Sequence, residues 1–267
     1  MFLLAGDNCN SVIFEKAVAL GKRLGLETVS SMPEGREDEI HLFYGEEGLS
    51  LRQGELSLRG DFTEMLPRLG KKKVENEMSV KAAKLSKGDH PLIFDATAGL
   101  GEDSFIFAAA GFHVVMYEYD PIIFALLEDS VSRALCDREL KYPVSRMEIN
   151  QGDSISALKA IAEGDGEDRP DVIFLDPMFP ARTKSADVGK KFQLLQQLES
   201  PCSDGEDLLY AAIRANPKKI VIKRPAKGEF LGGIKPDFSF EGKAVRYDCL
   251  IKVSNYLKHF KTGGGTL

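Results

Sequence analysis

From His90 onward, short apolar runs rich in β-branched and aromatic residues alternate with segments of helical spacing. "PLIFDATAG" precedes the helical pattern "EDSFIFAAAG", "HVVMYEYD" precedes "PIIFALLEDSVSRALCD", and "SRMEINQGD" precedes "SISALKAIAEG". After the turn-rich "DGEDRP" come "DVIFLDP", a long helical region to about residue 215, "KKIVIKRP", and a final pair around "FSFEGKAVRYDCLIKVSNYL". Runs that are apolar along their whole length are strands buried on both faces, and strands separated by helices join in parallel through crossovers. The pattern therefore predicts an α/β fold with a doubly wound, mostly parallel sheet. The last two runs have no helix between them, which predicts an antiparallel hairpin at one edge.

A chain of 267 residues with 43% hydrophobic content can bury the core of one large domain with a smaller attachment. Residues 1–63 combine the helical pattern "SVIFEKAVALGKRLGLE" with the strand-like runs "EIHLFYGEEG" and "LSLRQGELSLRGDF", and read as a small α+β unit. Residues 64–89 read as a basic helical bridge, residues 90–260 as the main domain, and residues 261–267 as a disordered tail. The opening "MFLLAGDNCN" has no basic segment before its apolar run, and no stretch approaches the ~20 apolar residues of a membrane span. These features predict a cytoplasmic protein with no membrane contact. Four cysteines (Cys9, Cys136, Cys202, Cys249) form no CxxC pair and the four histidines are scattered, which predicts reduced thiols and no metal.

The net charge of −6 argues against nonspecific coating of nucleic acid, but the charge is uneven. Residues 68–88 hold seven basic and two acidic side chains, 181–191 four and one, and 216–227 five and none. Such runs often only solvate a surface. Their position beside the strand-end motifs makes Lys71, Lys72, Lys73, Arg182, Lys184, Lys223 and Arg224 candidate RNA contacts. For Lys223 and Arg224 the competing expectation is a snorkelling pair or an ion pair to Asp176.

In a doubly wound sheet, ligands bind beyond the carboxyl ends of the strands. The first such end is "DATAGLGED", where Asp95 can receive a cationic or hydroxylated group while Gly99 and Gly101 let the backbone turn and approach a ligand. The next strand ends in Glu118, 19 residues beyond Gly99, a spacing suited to accepting hydrogen bonds from ribose hydroxyls. The third ends in Asp153 and Ser154, suited to an adenine edge; a plain helix N-cap is the alternative. A dinucleotide fingerprint would need a third glycine where Ser104 stands, and Glu102 and Asp103 at the helix start repel phosphate. A cationic, phosphate-free adenosine ligand fits better. That is S-adenosylmethionine, the methyl donor of class I methyltransferases.

The fourth strand runs into "DPMFP". Asp176 ends the strand, Pro177 and Pro180 stiffen the turn, and Phe179 supplies a π-face. This resembles the [DN]PP[YF] signature of methyltransferases that modify exocyclic amines of bases, with Met178 in place of the second proline. Carboxylate and carbonyl acceptors gripping the amine hydrogens would localise the nitrogen lone pair, and the aromatic ring would hold the unstacked base. The alternative is a rigid strand-end turn. Asp176, Pro177 and Phe179 are the candidate catalytic residues.

Taken together, "DATAGLGED", "DPMFPARTKSA", "IVIKRP" and "VRYD", preceded by "RLGKKKVENEMSVKAAK", resemble in order and spacing the RsmJ-type ribosomal RNA small-subunit methyltransferases, over roughly residues 64–260. The resemblance implies methylation of the N2 amine of a guanosine in small-subunit ribosomal RNA, naked or in a 30S-like particle, with S-adenosylmethionine as cofactor. It also implies methionine-side contacts at Glu102 and Asp103, ribose contacts at Glu118 and Tyr119, adenine-side contacts at Asp153 and Ser154, and a reaction-centre contact at Asp176. Glu102 and Tyr119 stand where the family pattern carries basic residues. A methyltransferase for a protein glutamine or a small molecule, and a noncatalytic RNA-binding assembly factor, are the rival expectations.

Overall fold

The computed structural model describes residues 1–6, 11–86, 90–164, 169–177, 194–195, 197–198 and 205–257. Phe179, Arg182, Lys184 and the 261–267 tail, all singled out from the sequence, lie outside the described residues.

Five strands form the first sheet: β1 (Leu3–Ala5), β2 (Thr28–Val29), β3 (His41–Gly45), β4 (Gly48–Gln53) and β5 (Leu56–Leu58), with α1 (Ser11–Leu24) between β1 and β2. Their order is β2-β1-β3-β4-β5. β1 pairs in parallel with β2 and β3, and β3, β4 and β5 form an antiparallel meander. The helix and the meander fall on runs visible in the sequence. β1 and β2, three and two residues long, are too short to show a period.

A 3-10 helix follows at Phe62–Arg68, capped by the Asp61 carboxylate, and then two short helices, α2 (Lys71–Val74) and α3 (Met78–Ala83). The bridge is thus broken into pieces rather than one helix. It is pinned by its own polar groups, since Arg68 forks onto Glu77 with two bonds of 2.9 Å. At the end of α3, the Lys219 ammonium donates to the carbonyls of Ala82 and Lys84.

The second sheet has seven strands: β6 (Leu92–Asp95), β7 (His113–Glu118), β8 (Met147–Gln151), β9 (Val172–Leu175), β10 (Lys219–Pro225), β11 (Phe238–Glu241) and β12 (Val245–Ile251). The order is β11-β12-β10-β9-β6-β7-β8, parallel from β10 to β8, with β12 and β11 antiparallel at the far edge as expected. Alternate side chains serve opposite faces. Ile93, Val172, Phe174 and Val221 join one core with α4 (Glu102–Ala109), the short α6 (Lys141–Val144) and the bridge. Phe94, Ile173, Leu175, Ile220 and Ile222 join the other with α7 (Ser154–Glu163) and α8 (Gly205–Ala215). Helix α5 (Pro121–Leu135) is shared, because its Ile122, Ala125 and Leu126 pack with Leu3, Leu42, Leu49 and Leu51 of the first sheet.

The chain runs outward from β6 to β7 and β8, then returns to β9 on the other side of β6. Strand order therefore reverses between β6 and β9, which opens a crevice beyond their carboxyl ends. Asp95 and Asp176 mark its two banks.

Candidate active site

The loop from β6 to α4 is organised from below. Asp95 is 1% exposed, and its carboxylate accepts from the Thr97 N–H at 3.0 Å and the Ser104 hydroxyl at 2.5 Å. Burial pushes its carboxyl up to about 7, against the pull of those two bonds. This corrects the expectation that Asp95 receives a ligand: the carboxylate lies beneath the loop and braces it. Thr97 in turn accepts from the Asp176 N–H at 2.7 Å, tying the two banks of the crevice together.

The two glycines do different work. Gly101, at φ 80°, is hemmed in: a Cβ there would meet Leu127 at 2.8 Å and Met116 at 3.1 Å. Gly99, at φ 54°, faces nothing within 4 Å, so it leaves room for a ligand against its backbone.

At the end of β7, Glu118 is 8% exposed and accepts from the backbone N–H groups of Gly99 (2.9 Å) and Asp120 (2.8 Å). Burial raises its carboxyl above the ordinary range, opposed by these bonds. The Tyr119 N–H also bonds to it, and three backbone bonds leave part of the carboxylate's acceptor capacity for an incoming hydroxyl. Tyr119 beside it is 77% exposed. Asp120 caps α5 through the N–H groups of Ile122 and Ile123, with Pro121 at the first helical position, a signal that "DP" before an apolar run carries. At the end of β8, the N-cap alternative holds for Asp153: its carboxylate accepts from Ile155 N–H, Ser156 N–H and the Ser156 hydroxyl, with Ser154 opening α7.

The densest electrostatics lie at the end of β9. The Lys223 ammonium bridges Asp103 Oδ2 at 2.6 Å and Asp176 Oδ2 at 2.8 Å, joining α4, β9 and β10. Burial works against the charge on Lys223, and the two carboxylates outweigh it, so the ammonium is held above its ordinary range. Burial raises the half-buried Asp176 carboxyl, Lys223 draws it back, and Asp103 pushes it up again. Glu102, next to Asp103, is raised by burial and by that neighbour. Tyr247 of β12 lies opposite Lys223, hydrogen-bonded with Ser79 of α3, its phenol pushed up to about 12 by burial and by Asp103. Pro177 is buried. The ion pair of Lys223 to Asp176 is the competing expectation stated for it, whereas Tyr247 and Ser79 belong to this centre although the sequence gives neither of them that place. The late "VRYD" is the only sequence signal for Tyr247.

The basic clusters divide. Lys72 and Lys73 of α2 are exposed, the latter donating to the Pro67 carbonyl at 3.1 Å. Within 216–227, Lys218 pairs with Asp171 at 2.6 Å and Lys219 caps α3. Arg224 is 3% exposed and its Nε–H donates to the Glu229 carbonyl, with its pKa lowered to about 10 by burial and by Arg246. This corrects the expectation of phosphate contacts at Lys223 and Arg224: desolvation of a side chain with ion-pair or carbonyl partners leaves little to offer an external anion. Among the described residues, no group of His, Cys, Asp and Glu could hold a metal ion, and no helix is long and apolar enough to cross a membrane.

The crevice thus offers a backbone-held carboxylate at Glu118, an open backbone at Gly99, and acids at Asp103 and Asp176 beside a helix start that repels phosphate. Comparison with known proteins agrees with that chemistry. A family model described as "Putative SAM-dependent methyltransferase" matches residues 25–252. The ribosomal RNA small subunit methyltransferase J of Cellvibrio japonicus is 38% identical over 253 residues, covering 90% of this chain and 94% of its own. That of Pseudomonas aeruginosa (strain UCBPP-PA14) is 39% identical over 240 residues, 88% and 89% of the two chains. A crystal structure of a SAM-dependent methyltransferase from Neisseria gonorrhoeae superposes with a TM-score of 0.70 at 28% identity, covering 94% of this chain and 96% of that one.

Proposed function

The chain belongs to the family of the ribosomal RNA small subunit methyltransferases J, within the SAM-dependent methyltransferases, and from that premise we propose that it methylates the exocyclic N2 amine of a guanosine in small-subunit ribosomal RNA. The reading includes a cytoplasmic enzyme acting on naked RNA or on a 30S-like particle.

The residues of the crevice suit S-adenosylmethionine. Glu118 would take the ribose hydroxyls, the open face of Gly99 would admit the nucleoside, and Asp103 in the first turn of α4 would face the cationic amino-acid end. When bound, the cofactor supplies a methyl group on a positively charged sulfur, so a site lined with carboxylates favours it. Asp153 and Ser154 would lie at the adenine end, with the Asp153 capping bonds fixing that carboxylate.

Asp176 carries the chemistry in this reading. Its carboxylate stands at the switch point, held by Lys223, with its backbone fixed through Thr97. There it would accept a hydrogen bond from the guanine amine, drawing the nitrogen lone pair out of conjugation as the new N–C bond forms. Because the interaction strengthens as the amine becomes positive, its loss should appear in turnover more than in binding. Phe179 of the DPMFP motif would hold the flipped base by stacking, worth ~1–3 kcal/mol.

The test is single-turnover methylation of small-subunit ribosomal RNA, with mapping of the modified nucleotide. For Asp176→Ala the rate should fall ~10²- to 10⁴-fold while cofactor binding survives. Asp176→Asn should retain more activity than Ala, since an amide oxygen still accepts the hydrogen bond. Near-wild-type rates in a folded, cofactor-binding Ala variant would sink the assignment.

A further inference from the structure

We propose that Lys223 is a positioning residue that keeps Asp176 ionised and aimed, trading basicity of the carboxylate for a fixed negative charge at the reaction centre. The inference rests on Asp176 as the acceptor of the amine hydrogen. Three geometric facts carry it. The ammonium touches both Asp103 and Asp176 within 2.8 Å. Its contact to Asp176 is at Oδ2, on one edge of the carboxylate. The stem of Lys223 is fixed in β10, between β9 and β12, and the side chain is 25% exposed.

Two carboxylates sharing a partly buried site cannot both stay ionised without a counter-charge, because desolvation and their mutual repulsion each favour the neutral acid. Among the described residues, the groups that act on Asp176 are Lys223 and Arg224 from β10, Asp103 from α4, Asp95 from β6 and Tyr247 from β12. Of the two cations, Arg224 is turned to the Glu229 carbonyl. Lys223 is hydrogen-bonded to the Asp176 carboxylate and is the larger of the two cationic influences on it.

The chemistry tolerates the exchange. An exocyclic amine that has just received a methyl group is cationic and strongly acidic. Its proton therefore leaves readily to a weakly basic carboxylate or to water. The carboxylate's essential property is that it is charged and oriented before transfer, since a protonated acid would present a donor to the amine instead of an acceptor. Lys223 secures that property at some cost in proton affinity. Asp103, the second partner, limits the effect by dividing the ammonium's charge.

The arrangement makes opposite predictions for its two sides. The experiment is carbon NMR of protein labelled at the aspartate carboxyl carbon, without RNA or cofactor, with the Asp176 signal assigned by its loss in Asp176→Asn. Lys223→Gln should move the Asp176 midpoint up by about one pH unit or more. Lys223→Arg should hold it near the wild-type value, and Asp103→Asn should move it down. The acid limb of the single-turnover rate should move up with the midpoint in Lys223→Gln. A merely structural lysine would lower the rate evenly across pH with no such displacement. An Asp176 midpoint unmoved by Lys223→Gln and Asp103→Asn overturns the proposal. Should Lys223→Gln fail to fold, Asp103→Asn decides alone, and an unmoved midpoint there overturns it equally. A midpoint that moves while the acid limb stays fixed overturns instead the assignment of Asp176 as acceptor, and the role of Lys223 in catalysis with it.

Discussion

The backbone N–H of Gly99 donates to Glu118 Oε2 at 2.9 Å, joining the loop after β6 to the end of β7 across 19 residues of sequence. The same carboxylate holds the Asp120 N–H at the entry to α5. One side chain thus sets the shape of the loop and keeps acceptor capacity for a ligand. It does both because it sits at the strand end, between the two segments that must be brought together.

Replacing Glu118 should therefore weaken cofactor binding and fold together. For Glu118→Ala, calorimetry should show S-adenosylmethionine affinity reduced by ~1–3 kcal/mol, the scale for hydroxyls and N–H groups left without an acceptor. Glu118→Gln, which keeps one carbonyl oxygen, should lose less. Unchanged affinity in the Ala variant would remove Glu118 from the site.

The two loop glycines should separate stability from binding. Gly101→Ala forces a methyl into Leu127, Met116 and Phe62 at a positive φ, and should lower stability by ~1–3 kcal/mol in denaturant unfolding. Gly99→Ala meets no atom within 4 Å, so it should cost only the ~1 kcal/mol of backbone strain. The larger effect at Gly99 should be on affinity for S-adenosylmethionine, because the methyl group would occupy the space beside the exposed backbone. Equal effects of the two variants on both quantities would refute the division.

Asp95 should leave a signature in the pH dependence of stability. Its carboxyl lies at about 7 in the folded protein against an ordinary value of 3.8, so the folded state binds more protons between those values. That contribution is fully present below about pH 4 and is lost as pH rises through 7, up to on the order of 4 kcal/mol. In Asp95→Asn the decline should vanish. Urea unfolding from pH 4 to 8 should show wild type losing stability relative to the variant across that window, and parallel curves would contradict the assignment.

The exposed lysines of α2 should carry salt-dependent RNA binding. Replacing Lys72 and Lys73 by Gln should weaken RNA binding and flatten the slope of log affinity against log salt by ~0.7–0.9 for each phosphate no longer neutralised. Arg224→Gln should act on stability instead, since that side chain is buried on a backbone carbonyl. If affinity and slope survive the double lysine change, α2 is a solvated face.

Much of the fold was legible because it is written in local periodicity. Doubly buried strands such as "VIFL" and "IVI" announce themselves as apolar runs, and helices between them force parallel crossovers. The positions of Asp95, Glu118, Asp153 and Asp176 at strand ends followed from the same pattern, because every parallel strand delivers its last residue to the same edge of the sheet. The short strands β1 and β2 escaped notice since two or three residues have no period. The pairing of β1 with both β2 and β3, and the packing of Leu3 with Leu42, Leu49 and α5, hold them in place.

The sequence by itself determined which acids stand at the strand ends, and the tertiary structure decided what each of them does there and which other side chains join them. Asp95 and Glu118 are both strand-end acids, yet one is sealed under its loop and the other has lone pairs to offer, a difference made by Ser104 and Thr97 packing over the first. Lys223 and Arg224 are adjacent cations in "IKRP". Alternation along β10 sends their side chains to opposite faces, one to Asp103 and Asp176, the other to the Glu229 carbonyl. Asp103 and Lys223 are 120 residues apart. No local pattern encodes such a meeting, because the partner of a charge is set by which strands lie side by side, and strand order is a property of the folded sheet.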